Sequence, residues 1–197
     1  GGSAVDAAIA AQLVLGLVEP QSSGLGGGAF LLHWDKQTSS LVSYDGRETA
    51  PATAKPDRFL ADGKLMPFEK AVQSGLSIGT PGLVRLLKTV HEKHGKLAWA
   101  RLFEPAIRIA EDGFTVTPRL YLLLRITGPD AFDAAGRRYF FDESGAPRSA
   151  ARKLSASSGT PRVPTSAASV TSSRVSGPTM MSAPPARERA SRPLAMP

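Results

Sequence analysis

The sequence predicts an α+β body over residues 1–149 and a coreless tail over residues 150–197. Three observations carry this. Ala4 to Val18 is a long run of helix formers, two short apolar runs at 29–34 and 40–44 flank the polar tetrapeptide Asp35-Lys36-Gln37-Thr38, and no aromatic residue follows Phe141. Helical periodicity and strand-length apolar runs in one continuous segment point to a mixed fold.

The first element spans residues 4–18, where Val5, Ile9, Leu13, Val14, Leu15 and Leu17 are spread around the helix and Gly16 and Pro20 mark its end. Such a pattern predicts a buried helix. The two apolar runs then predict adjacent strands in a hairpin, since each is bounded by Gly or Asp and the link is short and polar. Leu83, Val84, Leu86, Leu87 and Val90 give helical spacing over 81–93, closing near Gly95. A second amphipathic helix is expected over 99–111 with Gly113 as its C′ residue, and a further helical stretch over 120–126 behind Pro118. There is no internal repeat.

Past residue 150 the chain is mostly Ser, Ala, Pro, Arg and Thr, without Phe, Tyr or Trp. Such a composition buries too little apolar surface to offset the entropy of ordering, so disorder is expected. An ordinary flexible extension has this composition. So does the product of a reading-frame slip near 146–151 in a GC-rich gene.

Charge is just as uneven. The formal net charge is +7, and residues 151–197 hold seven Lys and Arg against Glu188 alone, which leaves the body at +1. Nucleic-acid binders concentrate basic charge on a folded face, so a near-neutral body argues against that class. No cysteine is present, which excludes disulfides and thiolate metal sites without fixing the compartment. The opening residues Gly1 to Asp6 show neither an initiator Met nor a basic and apolar leader, so the natural start is expected upstream. No stretch reaches the roughly 18 apolar residues of a membrane-spanning helix.

Candidate chemistry is sparse. Gly24-Leu25-Gly26-Gly27-Gly28-Ala29 fits the dinucleotide pattern G-x-G-x-x-A. That pattern needs a strand before the glycines and a helix after them, and here the order is reversed. A tight turn with positive φ and close backbone approach is expected instead, with a pocket lining as its functional version. His91-Glu92-Lys93-His94 spaces its histidines at i and i+3, whereas a zinc-protease helix needs i and i+4, so a solvated helix end is expected and no metal site. His33 reads as packing or surface. No Ser/His/Asp set and no G-x-S-x-G elbow can be named.

Taken together, the motifs resemble γ-glutamyltransferase. The matching segments are residues 2–10, then Val18-Glu19-Pro20-Gln21-Ser22-Ser23-Gly24-Leu25-Gly26-Gly27-Gly28-Ala29-Phe30, then Tyr44-Asp45-Gly46-Arg47-Glu48-Thr49-Ala50-Pro51. Gly79-Thr80-Pro81-Gly82, residues 93–97 and residues 105–114 continue the likeness in register. The resemblance implies an N-terminal-nucleophile hydrolase with a four-layer αββα core, cut from a precursor into a large and a small subunit. It implies an N-terminal Thr nucleophile whose own α-amine is the base, and transfer of a γ-glutamyl group from glutathione or a related compound to water, an amino acid or a peptide. No cofactor is implied. A periplasmic, secreted or surface-bound setting is implied by the relatives alone.

One site residue carries over. Arg47 stands where the family's R-E-x-A-P arginine grips the α-carboxylate of the γ-glutamyl group, and a guanidinium fork suits a carboxylate bidentately. Without the resemblance, Arg47 reads as a surface arginine paired with Glu48. Glu48, Thr49 and the glycines are expected to be scaffold that aims it. The likeness is expected to end near 142–147, and no Thr-Thr-His segment of the kind that opens the small subunit occurs. The chain is therefore expected to lack the catalytic residue and to need the missing small subunit as its partner. The competing reading is a non-catalytic binding or interaction module that reuses part of the fold.

Overall fold

The computed structural model describes residues 1–148, 153–154 and 187–190. The first helix, α1, runs Ala4–Val18. Ser3 caps it: its hydroxyl accepts the Asp6 N–H at 3.1 Å, and the Asp6 carboxylate accepts the Ser3 N–H at 2.7 Å. This reciprocal pair satisfies two of the donors that a helix start leaves open.

The expected hairpin is present as β1, Ala29–Asp35, and β2, Ser40–Gly46, antiparallel with Leu31 opposite Tyr44 and Ala29 opposite Gly46. A smaller hairpin follows, β3 at Leu60–Ala61 and β4 at Lys64–Leu65, turned by Asp62 and Gly63, both at positive φ. Then come α2, Phe68–Gln73, and α3, Leu83–His94. The single helix expected over 99–111 is broken: a 3₁₀ turn at Trp99–Leu102 precedes α4, Glu104–Asp112. Pro105 lies in the first turn of α4, where its missing N–H costs nothing, and inside a continuous helix it would have removed a bond. Gly113, at φ +79°, ends α4 as expected. The chain continues through β5, Phe114–Thr115, α5, Pro118–Thr127, and α6, Ala134–Phe140.

Two short pieces of the 150–197 segment are also in place. β6, Lys153–Leu154, pairs with β5, and Leu154 is fully buried, so packing reaches past the boundary expected at 149. β7, Arg187–Ala190, pairs antiparallel with β2 from Asp45 to Val42. These two departures from the expected tail have different causes: β6 brings the apolar Leu154 into a buried cluster, whereas β7 is joined to β2 through its backbone. Ladder hydrogen bonds are made by backbone groups, so an open strand edge accepts an extended segment whatever its composition. The expectation of disorder for the other tail residues lies outside the described residues.

Two apolar clusters hold the body together. Val5, Ile9 and Leu13 of α1 pack with Leu83, Leu86, Leu87 and Val90 of α3, with Tyr44 of β2 and with Leu102. Val116, Leu120, Leu124, Phe141 and Leu154 form the other. Only one side of α1 is buried, which corrects the expectation of a helix enclosed all round; Leu15, for instance, is exposed.

The sheet shows the same one-sidedness. Leu31 and Val42 face the helices, while Phe30, Leu32 and Trp34 of β1 stand on the opposite face with 65%, 66% and 58% of their surfaces exposed. Period-2 alternation therefore places apolar side chains on both faces of β1, the signature of a strand meant to be covered on both sides.

Candidate functional site

Arg47 follows β2 directly, and the chain around it is held from three directions. Its N–H donates to the Asp45 carboxylate at 3.0 Å. On one side lies Gly28: a Cβ there would stand 2.6 Å from the Gly46 carbonyl oxygen and 2.7 Å from the Arg47 Cα. On the other lies Gly82, where a Cβ would drive into the Gly46 carbonyl oxygen and stand 2.8 Å from that of Arg47. The N–H groups of Gly82 and Leu83 both donate to the Gly27 carbonyl, at 3.2 and 3.0 Å, which ties the glycine turn to the start of α3. Close approach is thus the use of Gly28 and Gly82, whereas a Cβ at Gly24 or Gly26 would meet nothing within 4 Å. The positive φ expected in the cluster does not occur, and the positive-φ glycines lie elsewhere, at Gly63, Gly113, Gly128 and Gly145. Backbones pressed this closely leave no volume for a side chain, whatever the local φ.

The next residues line one wall of a cavity of about 610 Å³ whose lining includes Arg47, Glu48, Thr49, Arg58, Phe59 and Ser77. Thr49 and Thr80 exchange backbone hydrogen bonds at 2.8 and 3.3 Å, joining the Arg47 loop to the segment that carries Ser77 and Gly79. The Arg47 guanidinium lies 3.3 Å from Glu48 Oε2 and its side chain is 55% exposed. Glu48 Oε2 is itself buried and makes no hydrogen bond, so the pair is an ion contact without hydrogen-bond geometry. Both readings of Arg47 are therefore present in one place: it is paired with Glu48, and it lines a cavity. A guanidinium has five N–H donors, which leaves it able to take a second carboxylate.

The structure brings in one charged residue that the sequence did not single out. Arg58 reaches the same cavity, half-buried, with its guanidinium 5.6 Å from the centre of the Phe59 ring. No motif or periodicity marks it. Its place depends on two successive turns, closed by Ala54 N–H to Pro51 carbonyl at 2.8 Å and Arg58 N–H to Lys55 carbonyl at 3.2 Å.

The histidines do structural work that differs from a solvated helix end. His91 Nε2 lies 2.8 Å from the Leu97 carbonyl oxygen and its side chain is 13% exposed. His94 stacks on His33 with ring centres 3.8 Å apart and meets the Tyr44 hydroxyl at 2.8 Å. The physical reason is packing at the end of α3: the return of the chain at 95–97 covers His91, while β1 and β2 cover His94 through His33 and Tyr44. Among the described residues, no group of three or more His, Cys, Asp or Glu is arranged to hold a metal, and no helix is long and apolar enough to cross a membrane.

Comparison with known proteins places this arrangement. The family profile described as gamma-glutamyltranspeptidase matches residues 1–155, a few residues beyond the expected limit at 142–147. Among curated proteins, the chain is 48% identical over 124 residues to Scoloptoxin SSD14 of Scolopendra dehaani, covering 63% of this chain and 21% of that protein. It is 41% identical over 145 residues to Glutathione hydrolase 2 of Arabidopsis thaliana, covering 74% of this chain and 24% of that protein. Among solved structures, Helicobacter pylori γ-glutamyltranspeptidase superposes with a TM-score of 0.73 at 28% identity, over 79% of this chain and 44% of that one. The matches thus span about a quarter or less of the curated relatives' length. The α+β arrangement is that of the N-terminal-nucleophile hydrolases. With the profile covering the whole folded body, the chain belongs to the γ-glutamyltranspeptidase family.

Proposed function

We propose that this chain is the γ-glutamyl-recognition part of a glutathione hydrolase or γ-glutamyltransferase, with Arg47 as the residue that binds the α-carboxylate of the substrate. The observation that carries the proposal is the clamped backbone of Arg47 at the wall of the cavity, between Gly28 and Gly82. A binding arginine has to be aimed with little freedom, because each immobilised rotamer and each misdirected hydrogen bond lowers affinity. Here the main chain is fixed and the guanidinium stays accessible. Glu48 holds the fork's charge in place until a ligand carboxylate takes over part of it.

Chemistry would come from a small subunit. Acyl transfer needs a nucleophile, a base and oxyanion donors; the Thr-Thr-His segment implied by the family does not occur in this sequence, so the chain is proposed to bind without turning substrate over. The partner's place is the exposed Phe30, Leu32 and Trp34 face, where a second sheet would complete the sandwich. Glutathione is the natural candidate among γ-glutamyl compounds, in keeping with the names of the curated relatives.

The test is a titration of the purified 197-residue chain with a γ-glutamyl anilide, read by heat or by ligand line-broadening, beside an assay for anilide release. Saturable binding that Arg47→Gln abolishes, with no release and an intact mass, is the expected result. Anilide release by the wild-type chain, or binding indifferent to Arg47, would refute the proposal.

A further inference from the structure

We propose that Arg58 is a second carboxylate-binding residue in the Arg47 cavity and selects γ-glutamyl compounds whose leaving group carries its own carboxylate, as a γ-glutamyl peptide with a free C-terminus does. The proposal rests on the assignment of Arg47 to the glutamyl α-carboxylate, and it adds the other end of the substrate.

Three observations carry it. First, the charged residues lining the cavity are Arg47, Glu48 and Arg58, and Glu48 lies against Arg47 at 3.3 Å. Arg58 makes no ion pair with any carboxylate among the described residues, although it is half-buried. A partly desolvated guanidinium without a counter-charge favours an anionic ligand, because the ligand restores interactions that burial took from it.

Second, Arg58 is held rather than trailing. The turns at 51–54 and 55–58 are each closed by a backbone hydrogen bond, and the Met66 N–H donates to the Phe59 carbonyl at 2.8 Å, anchoring the strand that follows. The Phe59 ring beside the guanidinium limits its orientations, a contact that suits a flat delocalised cation better than an ammonium.

Third, Arg47 and Arg58 line the same cavity, whose volume of about 610 Å³ lies in the range of small-molecule sites. Glycine, Ala and Pro positions along the same wall, Gly26, Ala50, Pro51 and Gly79, supply no competing charge.

The experiment compares γ-glutamylglycine with γ-glutamylglycinamide, which differ only in the second carboxylate, in titrations of the full chain. Wild type is expected to bind the acid about tenfold more tightly than the amide, the scale of one partly exposed charge-assisted hydrogen-bonded contact. Arg58→Gln should bring the acid down to the level of the amide and leave the amide unchanged. Arg58→Lys, which keeps the charge and loses the planar fork, should retain part of the preference, and Arg47→Gln should weaken both ligands alike. Added salt should shrink the acid's advantage. If Arg58→Gln keeps the tenfold preference while Arg47→Gln still weakens both ligands, the role given to Arg58 is overturned and that of Arg47 stands. If Arg47→Gln changes nothing, or neither compound binds wild type, both assignments fall together.

Discussion

The Asp6 carboxylate accepts the backbone N–H groups of Lys96 at 3.0 Å and Leu97 at 3.2 Å, joining two points 90 residues apart while it also caps its own helix. The side chain is 2% exposed. Burial alone would raise its pKa, but the N–H groups of Ser3, Lys96 and Leu97 and the Ser3 hydroxyl all favour the anion, and the net result lies below the ordinary 3.8. This one carboxylate fixes the start of α1 against the loop that follows α3, beneath the sheet that leads to Arg47.

Asp6→Asn therefore destabilises the fold by about 3 kcal/mol, because an amide NH₂ is turned toward backbone donors that had a charged acceptor. The pH dependence follows from the depressed pKa. The unfolded chain takes up a proton more readily than the folded one, so Asp6 contributes its full stabilisation above the unfolded value of about 3.8 and loses it as pH falls through the lower folded value. Urea midpoints measured from pH 7 down to pH 3 should fall more steeply below about pH 4 in wild type than in Asp6→Asn. Parallel curves would remove Asp6 from this role.

Gly28→Ala should cost about 2 kcal/mol of stability, since a Cβ 2.6 Å from the Gly46 carbonyl oxygen can be accommodated only by moving backbone. The same shift displaces Arg47, so ligand affinity should fall together with the melting temperature. Gly24→Ala makes the control: a Cβ there meets nothing within 4 Å. Equal effects from the two substitutions would mean that the glycine cluster does not aim Arg47.

The outer face of β1 gives a third expectation. Phe30, Leu32 and Trp34 lie in a row with no described neighbour covering them, so the purified chain should self-associate and bind a hydrophobic dye. Replacing all three by Thr keeps β propensity and removes the apolar stripe. Sedimentation velocity should then show a shift toward monomer with little change in melting temperature. A monomeric wild-type chain would contradict it.

A fourth prediction concerns the coding DNA. We propose the frame slip expected near residues 146–151, and the family match running on to residue 155 allows it to lie as late as that. Another frame of the same DNA should restore apolar helical periodicity and, further on, a Thr-initiated small-subunit segment. Strand pairing by residues 187–190 does not argue for the present frame, because it is made by backbone at an open edge. Early stops in both other frames would leave residues 156–197 as a genuine extension.

Much of the body was legible because its signals are local. The length of α1 and the β1–β2 hairpin follow from apolar runs with clear punctuation, and Gly113 sits where a helix end needs it. The break before α4 had its signal in Pro105, which the longer apolar periodicity overrode in the reading. The β3–β4 hairpin also carried one, the Asp62-Gly63 pair, but two-residue strands have no periodicity to confirm it. At the site, Arg47 was legible through its motif. Arg58 was not, since nothing near it in sequence reveals that two turns will fold it back onto the Arg47 loop. The role of Gly28 was half legible: the residue type announces backbone freedom or close approach, and only the packed neighbours tell which.

The most direct test of the central claim places this segment, in frame, within a full-length family precursor and compares Arg47→Lys with the parent. The substitution keeps the charge and loses the bidentate fork. Self-cleavage into two subunits and the melting temperature should be unchanged, while kcat/KM for a γ-glutamyl anilide falls roughly thirtyfold, about 2 kcal/mol of transition-state stabilisation, with KM rising. An Arg47→Lys enzyme that cleaves itself and turns over the anilide with the parent's kcat/KM would contradict the assignment of Arg47 as the carboxylate-binding residue.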